Sequence, residues 1–222
     1  GAEFYHDTVS SSRSETDLLT GLVQALSPRF PDGSEVRQAA IYGNAQKLFA
    51  DRHNLSAGVR VSNDDVSLAA TAVSNAASID STDISGDVGY IFEFNDRWHW
   101  VANVGFGFRA PNVFDLGTLG NRPGNRFNIP NTSLESERVT QFDVGVRYRG
   151  DAAQFDVALY TLDYDDRITS VGTGDITPDG RDVVQSVNAA ESTIRGVEAG
   201  VDITLNDNVS ARTVLNYTWG EQ

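Results

Sequence analysis

The sequence predicts an all-β protein: an antiparallel transmembrane β-barrel, of which this chain forms an incomplete segment. Three observations support this fold class. Apolar and polar residues alternate along nine stretches, the connections between those stretches alternate between short and long, and helix signals are almost missing. Successive side chains on a strand point to opposite faces, so each stretch has one apolar face and one polar face.

The connections are sorted by length along the whole chain. Short turns with hairpin chemistry lie at 51–53, 95–97, 150–152 and 206–208, and long polar segments lie between them at 13–35, 63–81, 110–136 and 166–190. Short turns on one side and long loops on the other are typical of an outer-membrane barrel. Two alternatives stay open at this point: a barrel without a transport role, structural or enzymatic, and a soluble β-sandwich that binds a partner.

The nine stretches can be placed in chain order. We predict strands near 2–12, 36–49, 54–62, 82–94, 98–109, 137–149, 153–165, 191–205 and 208–219. The first two show the weakest alternation. In 153–165 the apolar positions change from odd to even numbers at Leu159 and Tyr160, which predicts a β-bulge near Leu159.

The two strands with the clearest alternation flank the longest predicted loop, 110–136. Residues 98–108 place Trp98, Trp100, Val104 and Phe106 on one face, and residues 141–149 do the same with Phe142, Val144, Val146 and Tyr148. Strands of this length, at ~3.3 Å per residue and tilted by about 45°, span roughly 25 Å, the height of the lipid-facing band of a barrel. Aromatic residues at both strand ends are expected at the two membrane interfaces.

Composition excludes several functional classes. The 222 residues carry a net charge of −14 with no basic stripe, so nucleic-acid binding is not expected. Cysteine is absent, which removes disulfides, zinc–thiolate sites and thiol nucleophiles. Methionine is also absent, even at position 1, so we expect the chain to be part of a longer one. An odd number of strands likewise predicts a segment that does not close into a barrel by itself.

Three short segments resemble motifs of one family. Phe108-Arg109-Ala110-Pro111-Asn112 resembles the first box of TonB-dependent outer-membrane receptors, written FRAP. The segment 131–137, with Asn131, Leu134, Glu135 and Glu137, is similar to their downstream NPNLxPE box, although its proline is lost. The stretch from Asn188 to Glu198 is similar to a recurrent N…GxE strand start.

The resemblance implies a fold and a function. Barrels of TonB-dependent receptors have about 22 strands around an N-terminal plug domain. They import scarce ligands such as ferric siderophores, driven by the inner-membrane TonB complex. We therefore expect residues 1–222 to be a partial barrel domain in the bacterial outer membrane, without the plug. The expected partners are outer-membrane lipid, lipopolysaccharide, the TonB complex through other regions, and a small molecule such as an iron chelate. Residues 112–130 contain no histidine, which argues against a haem role.

The loop between the two boxes holds the candidate ligand-binding residues Arg122, Asn125, Arg126 and Phe127. Two guanidinium groups and an aromatic ring can hold an anionic chelate through charged hydrogen bonds and stacking. The sequence favours a second interpretation, in which the arginines pair with loop acids or with lipopolysaccharide phosphates. Proline and glycine through the loop predict a mobile tip without regular structure.

No enzymatic, metal or cofactor function is predicted. Serine, histidine and aspartate occur without a catalytic spacing, and no hydrolase, zincin or phosphate-loop motif is present. Aspartates cluster at 163–166, but they lack the pattern of a twelve-residue calcium loop. We interpret them as solvated acids at the end of a strand.

Overall fold

The computed structural model describes residues 1–26, 28, 30–71, 75–117 and 120–221. Nine long strands, here called the wall strands, follow one another in antiparallel order. They are β1 (Ala2–Thr8), β4 (Glu35–Phe49), β5 (His53–Leu68), β6 (Ala77–Glu93), β7 (Trp98–Arg109), β10 (Glu137–Arg149), β11 (Ala153–Ile176), β12 (Asp182–Asn206) and β13 (Val209–Glu221). They correspond one to one with the nine predicted strands, so the predicted all-β fold is confirmed.

The remaining elements lie in the long connections. A separate two-stranded sheet is formed by β2 (Arg13–Thr16) and β3 (Val23–Leu26). The loop after β7 contains α1 (Val113–Gly117), β8 (Gly120–Arg122) and β9 (Arg126–Ile129). The latter two strands join the main sheet through β12, which makes it eleven-stranded. No ladder pairs β1 with β13 among the described residues, so this sheet has two open edges.

The cross-strand registers fix the two faces of the wall. Val104, Phe142, Val144 and Leu159 share one face with their partners, which we call the apolar face. Trp98, Tyr148 and Phe155 pack together on this face at the turn end, with ring centroids 5.1–5.3 Å apart. The polar face carries Asn103, Asp143 and Arg147, together with Glu198 and Asp202 farther along the sheet.

Two of the predicted loops are wrong in extent. Segments 63–81 and 166–190 were expected to be loops, but β5–β6 and β11–β12 continue as paired strands through most of them. In 63–81 the alternation continues through Val66, Leu68 and Ile79, which are buried, but the polar residues between them, such as Asp64 and Asp65, are typical of a loop. The strand expected over 2–12 ends earlier, at Thr8.

The predicted bulge near Leu159 is also wrong. Pairing of β11 with β12 is continuous from Ala153 to Tyr164, and the first register shift comes only after Tyr164. Tyr160 lies on the polar face, where its ring covers Gly196 and its hydroxyl lies 2.7 Å from the Thr218 hydroxyl. The change of phase therefore reflects an aromatic ring packed over a glycine, not an inserted residue.

The buried core lies at the loop end of the sheet. Val66, Leu68 and Ile79 of the extended β5–β6 hairpin pack with Val113 and Leu116 of α1 and with Leu134. We call these six residues the loop core. No helix among the described residues is long and apolar enough to cross a membrane.

Candidate functional site

Arg109 joins the two sequence boxes. It ends β7 directly opposite Glu137, the first residue of β10. Its Nε donates to Glu137 Oε2 at 2.6 Å, and its Nη1 donates to Asp115 Oδ2 at 2.6 Å. Glu137 Oε1 accepts in turn from the amide of Ile168 at 2.7 Å. One guanidinium group thus fixes the start of the loop, its helix and the return strand together.

Asn112 starts α1 through a reciprocal cap. Its Oδ1 accepts from the amides of Phe114 and Asp115 at 2.8 and 3.1 Å, and its own amide donates to Asp115 Oδ2 at 3.1 Å. Exchange of this kind satisfies helix amides that have no partner within the helix. Pro111 is buried just before this cap, after Ala110 has left the ladder. The cap turns the chain so that Leu116, which is fully buried, enters the loop core.

The second box is held by β12. The Asn188 side chain pairs with Glu135 like a peptide group, since Oδ1 accepts from the Glu135 amide and Nδ2 donates to its carbonyl, both at 2.9 Å. The Asn131 side chain donates to the Ser186 carbonyl at 2.8 Å. Leu134, between them, is 4 % exposed and belongs to the loop core. The second and third motifs therefore meet at β12, and Arg109 of the first motif is linked to the second through Glu137.

The predicted lack of regular structure in the middle of the loop is wrong. Strands β8 and β9 form a short hairpin, and β9 pairs in parallel with residues 182–185 of β12. Asn125 stands at the turn with φ 58°, and its side chain donates to the Gly180 carbonyl at 2.9 Å. The proline and glycine content predicted irregular structure, but the neighbouring β11–β12 hairpin supplies an edge onto which β9 adds.

The hairpin brings the two candidate arginines together. Arg122 and Arg126 are directly opposite each other, so their side chains leave the same face of the ribbon. Neither forms a hydrogen bond or an ion pair with any described residue, although Asp182 is the lateral partner of Arg126. Like charges placed directly opposite each other are destabilising. Pairing with loop acids, the interpretation that the sequence favoured, is therefore not what the described residues form.

Two further residues flank the arginine pair. Phe127 is half-buried and lies on the other face of β9 from Arg126. Asn128 follows on the same face as Arg126, is 2 % exposed, and has an Oδ1 without a hydrogen-bond partner in the described chain. Asn128 could not be recognised from the sequence, because only the pairing with β12 buries it.

Metal-binding geometry is not found in the described part of the chain, where no group of three or more acidic or histidine side chains is placed to hold an ion. The aspartates at 163–166 were predicted to end a strand, but they lie within β11. Asp163 and Asp165 point to the face of Phe142, and Asp163 accepts from Thr193 Oγ1 at 2.8 Å.

Comparison with protein families finds one match. The family model described as TonB dependent receptor-like, beta-barrel, matches residues 1–222. A search of curated proteins finds no match.

Solved structures with the same fold are receptors and transporters. The copper transporter OprC is 23% identical, with a TM-score of 0.73 over 94% of this chain and 32% of its own. The hemophore receptor HasR of Serratia marcescens, solved with its hemophore HasA and heme, is 14% identical, with a TM-score of 0.75 over 100% of this chain and 38% of its own. The siderophore receptor PirA of Pseudomonas aeruginosa is 17% identical, with a TM-score of 0.64 over 85% and 44%. The chain thus spans less than half the length of each.

Proposed function

This chain belongs to the TonB-dependent receptor family through its β-barrel domain, and we propose that it serves the import of a scarce anionic ligand, such as a ferric siderophore. Barrels of this family lie in the outer membrane of Gram-negative bacteria, and the nine wall strands lie there too. In this proposal the plug and the segment that contacts the TonB complex belong to the receptor outside residues 1–222. The apolar face meets lipid and, near the loops, lipopolysaccharide.

The observation that supports an anionic ligand is the unpaired arginine couple. Arg122 and Arg126 are held opposite each other on a hairpin fixed at both ends, by Asn125 to Gly180 and by β9 to β12. An anion bound between two guanidinium groups would remove their repulsion and accept charged hydrogen bonds from both.

The anchoring of the loop supports the same proposal. Binding groups are most effective when they are already held in place, because less freedom is lost on binding. Here the hairpin is fixed by backbone pairing rather than by the ligand. We therefore assign the two boxes a positioning role: Arg109, Asn112, Asn131, Glu135 and Glu137 hold the loop that presents the arginines.

The test is the double variant Arg122→Ala, Arg126→Ala in the full-length receptor. We expect its affinity for a ferric tricatecholate, which is anionic, to fall at least about tenfold, since each charged hydrogen bond contributes about 1.5–3 kcal/mol. Its affinity for a neutral ferric trihydroxamate should change little. The control is the double variant Arg13→Ala, Arg138→Ala, which removes two exposed arginines that also lack ion pairs among the described residues. Equal losses in both double variants, or no loss in the first, would contradict the proposal.

Topology is tested separately with Asn121→Cys. Asn121 is exposed on β8, and unlike Asn125 it does not require a positive φ. An impermeant thiol reagent should label this cysteine in intact cells. Labelling only after the outer membrane is opened would place the loop in the periplasm, and the arginine pair could not then meet a ligand arriving from outside.

A further inference from the structure

Asp182 extends the arginine pair into a row of three charged side chains. It is the lateral partner of Arg126 on β12, just as Arg122 is the partner of Arg126 on β8. Directly paired residues of neighbouring strands point to the same face of a sheet, and neighbouring strands lie about 4.8 Å apart. We call Arg122, Arg126 and Asp182 the charge row, which is cation, cation, anion in the order β8, β9, β12.

The carboxylate of Asp182 is exposed and has no partner among the described residues, whether through an ion pair or a hydrogen bond. The adjacent arginine, Arg181, is already paired with Asp179, with 2.8 Å from Nε to Oδ2. On the other side of Asp182, its partner on β11 is Ile176, which is apolar and 68 % exposed. Asp182 is therefore a free acceptor beside the arginine pair.

Arg126 packs over Gly124 rather than against Asp182. A Cβ built on Gly124 would lie 3.4 Å from both Nε and Nη2 of Arg126, so the guanidinium group lies over the bare Cα of this glycine. Gly124 has φ 80°, a conformation that favours glycine, and the turn of the β8–β9 hairpin therefore keeps this surface open. The opposite charges of Arg126 and Asp182 are thus neighbours that do not form an ion pair.

The charge row favours a ligand that carries two kinds of group. An anionic group accepts charged hydrogen bonds from the two guanidinium groups. Next to Asp182 a second anionic group would be repelled, whereas an ammonium group would be attracted and would donate to the carboxylate. A ligand with negative charge alone therefore matches two members of the row and is opposed by the third. A ligand with an anionic group and an adjacent ammonium group matches all three.

We propose that the charge row selects an amphoteric ligand, in which an anionic group is accompanied by a nearby ammonium group, as in a free amino-acid group. This inference rests on the proposed function, because it assigns a ligand class to the same arginine pair. Arg122 and Arg126 bind the anionic group, and Asp182 accepts from the ammonium group. Asp182 is thus a specificity-determining residue, which weakens the binding of purely anionic ligands and strengthens the binding of amphoteric ones.

Two probes with the same iron-binding core test this selection in the full-length receptor. One is a ferric trihydroxamate with a single terminal carboxylate. The other is the same chelate with a terminal amino-acid group, which carries a carboxylate and an ammonium group. Asp182→Asn should raise the affinity for the first probe about threefold and lower the affinity for the second about threefold, as expected for one unit charge at ~5 Å in water. The ratio of the two affinities should therefore change by about tenfold.

Two further variants control for effects other than the charge at this position. Asp175→Asn removes an exposed aspartate of the same β11–β12 hairpin outside the charge row, and it should leave the ratio of affinities unchanged. Asp182→Glu keeps the carboxylate and should keep the preference of the unmodified receptor. If Asp182→Asn weakens the binding of both probes, Asp182 has a structural role in the hairpin, and the proposed selection is overturned.

The arginine double variant separates a failure of this inference from a failure of the proposed function. Arg122→Ala, Arg126→Ala should weaken the binding of both probes. If it does so while Asp182→Asn leaves the ratio of affinities unchanged, the proposed function stands and the selection by Asp182 is overturned. If the double variant binds both probes as tightly as the unmodified receptor, the proposed function and this inference are overturned together.

Discussion

The wall and the loops above it are stabilised in opposite ways. On the wall, large apolar side chains remain exposed in the isolated chain, such as Trp100 at 58% and Phe106 at 51%. In the loops, Leu116 is at 0% and Leu134 at 4%. The wall thus leaves its apolar side chains for the lipid to cover, while the loops bury theirs in a small core as a soluble protein does.

The wall and the loops also differ in their hydrogen bonds. Wall strands β7, β10 and β11 pair through uninterrupted backbone ladders. The loops depend on side chains that imitate backbone groups, as Asn188 does for Glu135 and Asn131 for Ser186. A ladder tolerates most side chains, whereas these contacts require particular residues. We therefore expect a loop substitution to destabilise only its surroundings whenever the particular side chain is lost. A wall substitution should destabilise the barrel when it changes the polarity of the side chain.

The largest expected effect is in the loop core. Leu116→Ala should destabilise the loop by about 2–5 kcal/mol, because it removes a fully buried side chain and leaves a cavity. Hydrogen exchange should show lost protection at 110–136 and in residues 182–188, which pair with it. The barrel should keep its heat-modifiable mobility on gels. Global failure of the barrel would show that the two regions are not separable.

A charged substitution on the apolar face of the wall should destabilise the protein almost as much as Leu116→Ala. Val144→Arg places a charge on the apolar face near the bilayer midplane and should cost about 2–4 kcal/mol in a lipid-based unfolding titration.

Gly145 is an unsuitable control for this change, since a Cβ there would lie 2.6 Å from the Val157 carbonyl oxygen. Gln141→Arg is better, because Gln141 is exposed on the polar face beside Asp143. Should the Gln141 variant be the damaging one, the two faces are assigned the wrong way round.

Removal of one loop contact should have a smaller effect. Asn188→Ala leaves the Glu135 amide and carbonyl without their partner and also ends a bond from Nδ2 to the Asp166 carbonyl. We expect a local cost of about 1–3 kcal/mol, seen as faster exchange of the Glu135 amide. Asn216→Ala, which removes an exposed bond to Glu198, is the control. Equal exchange at Glu135 in both variants would show that Asn188 does not hold Glu135 in place.

The same contrast explains how much of the structure could be predicted from the sequence. The wall strands follow from alternation, a local signal, and even their ends at Trp98, Arg109, Glu137 and Arg149 agree with the structure. The boxes at 108–112 and 131–137 were found as motifs, but the link between them through Arg109 and Glu137 and the attachment of the second box to β12 were not. Strand β9 was missed because its stability comes from pairing with residues more than fifty positions away.

The smallest expected effect is at the turn that ends the β11–β12 hairpin, outside the loop core. The Thr177 hydroxyl at 2.6 Å and the Arg181 guanidinium at 2.8 Å hold the pKa of Asp179 below its usual range. A carboxyl group with a lowered pKa in the folded state stabilises that state above its unfolded pKa, and this contribution is lost as the pH falls through the folded value. The turn should therefore loosen below about pH 4. Hydrogen exchange of the Gly180 and Arg181 amides should then be faster than the pH dependence of unprotected amides explains.

In Asp179→Asn this pH dependence should vanish, while Asp175→Asn, a nearby exposed aspartate, should retain it. Because Asp179 is fully exposed and screened by solvent, the change should stay within the turn and leave β9 paired with β12. Loss of the β9 pairing at low pH in the Asp179→Asn variant as well would assign the acid sensitivity to another group in the loops.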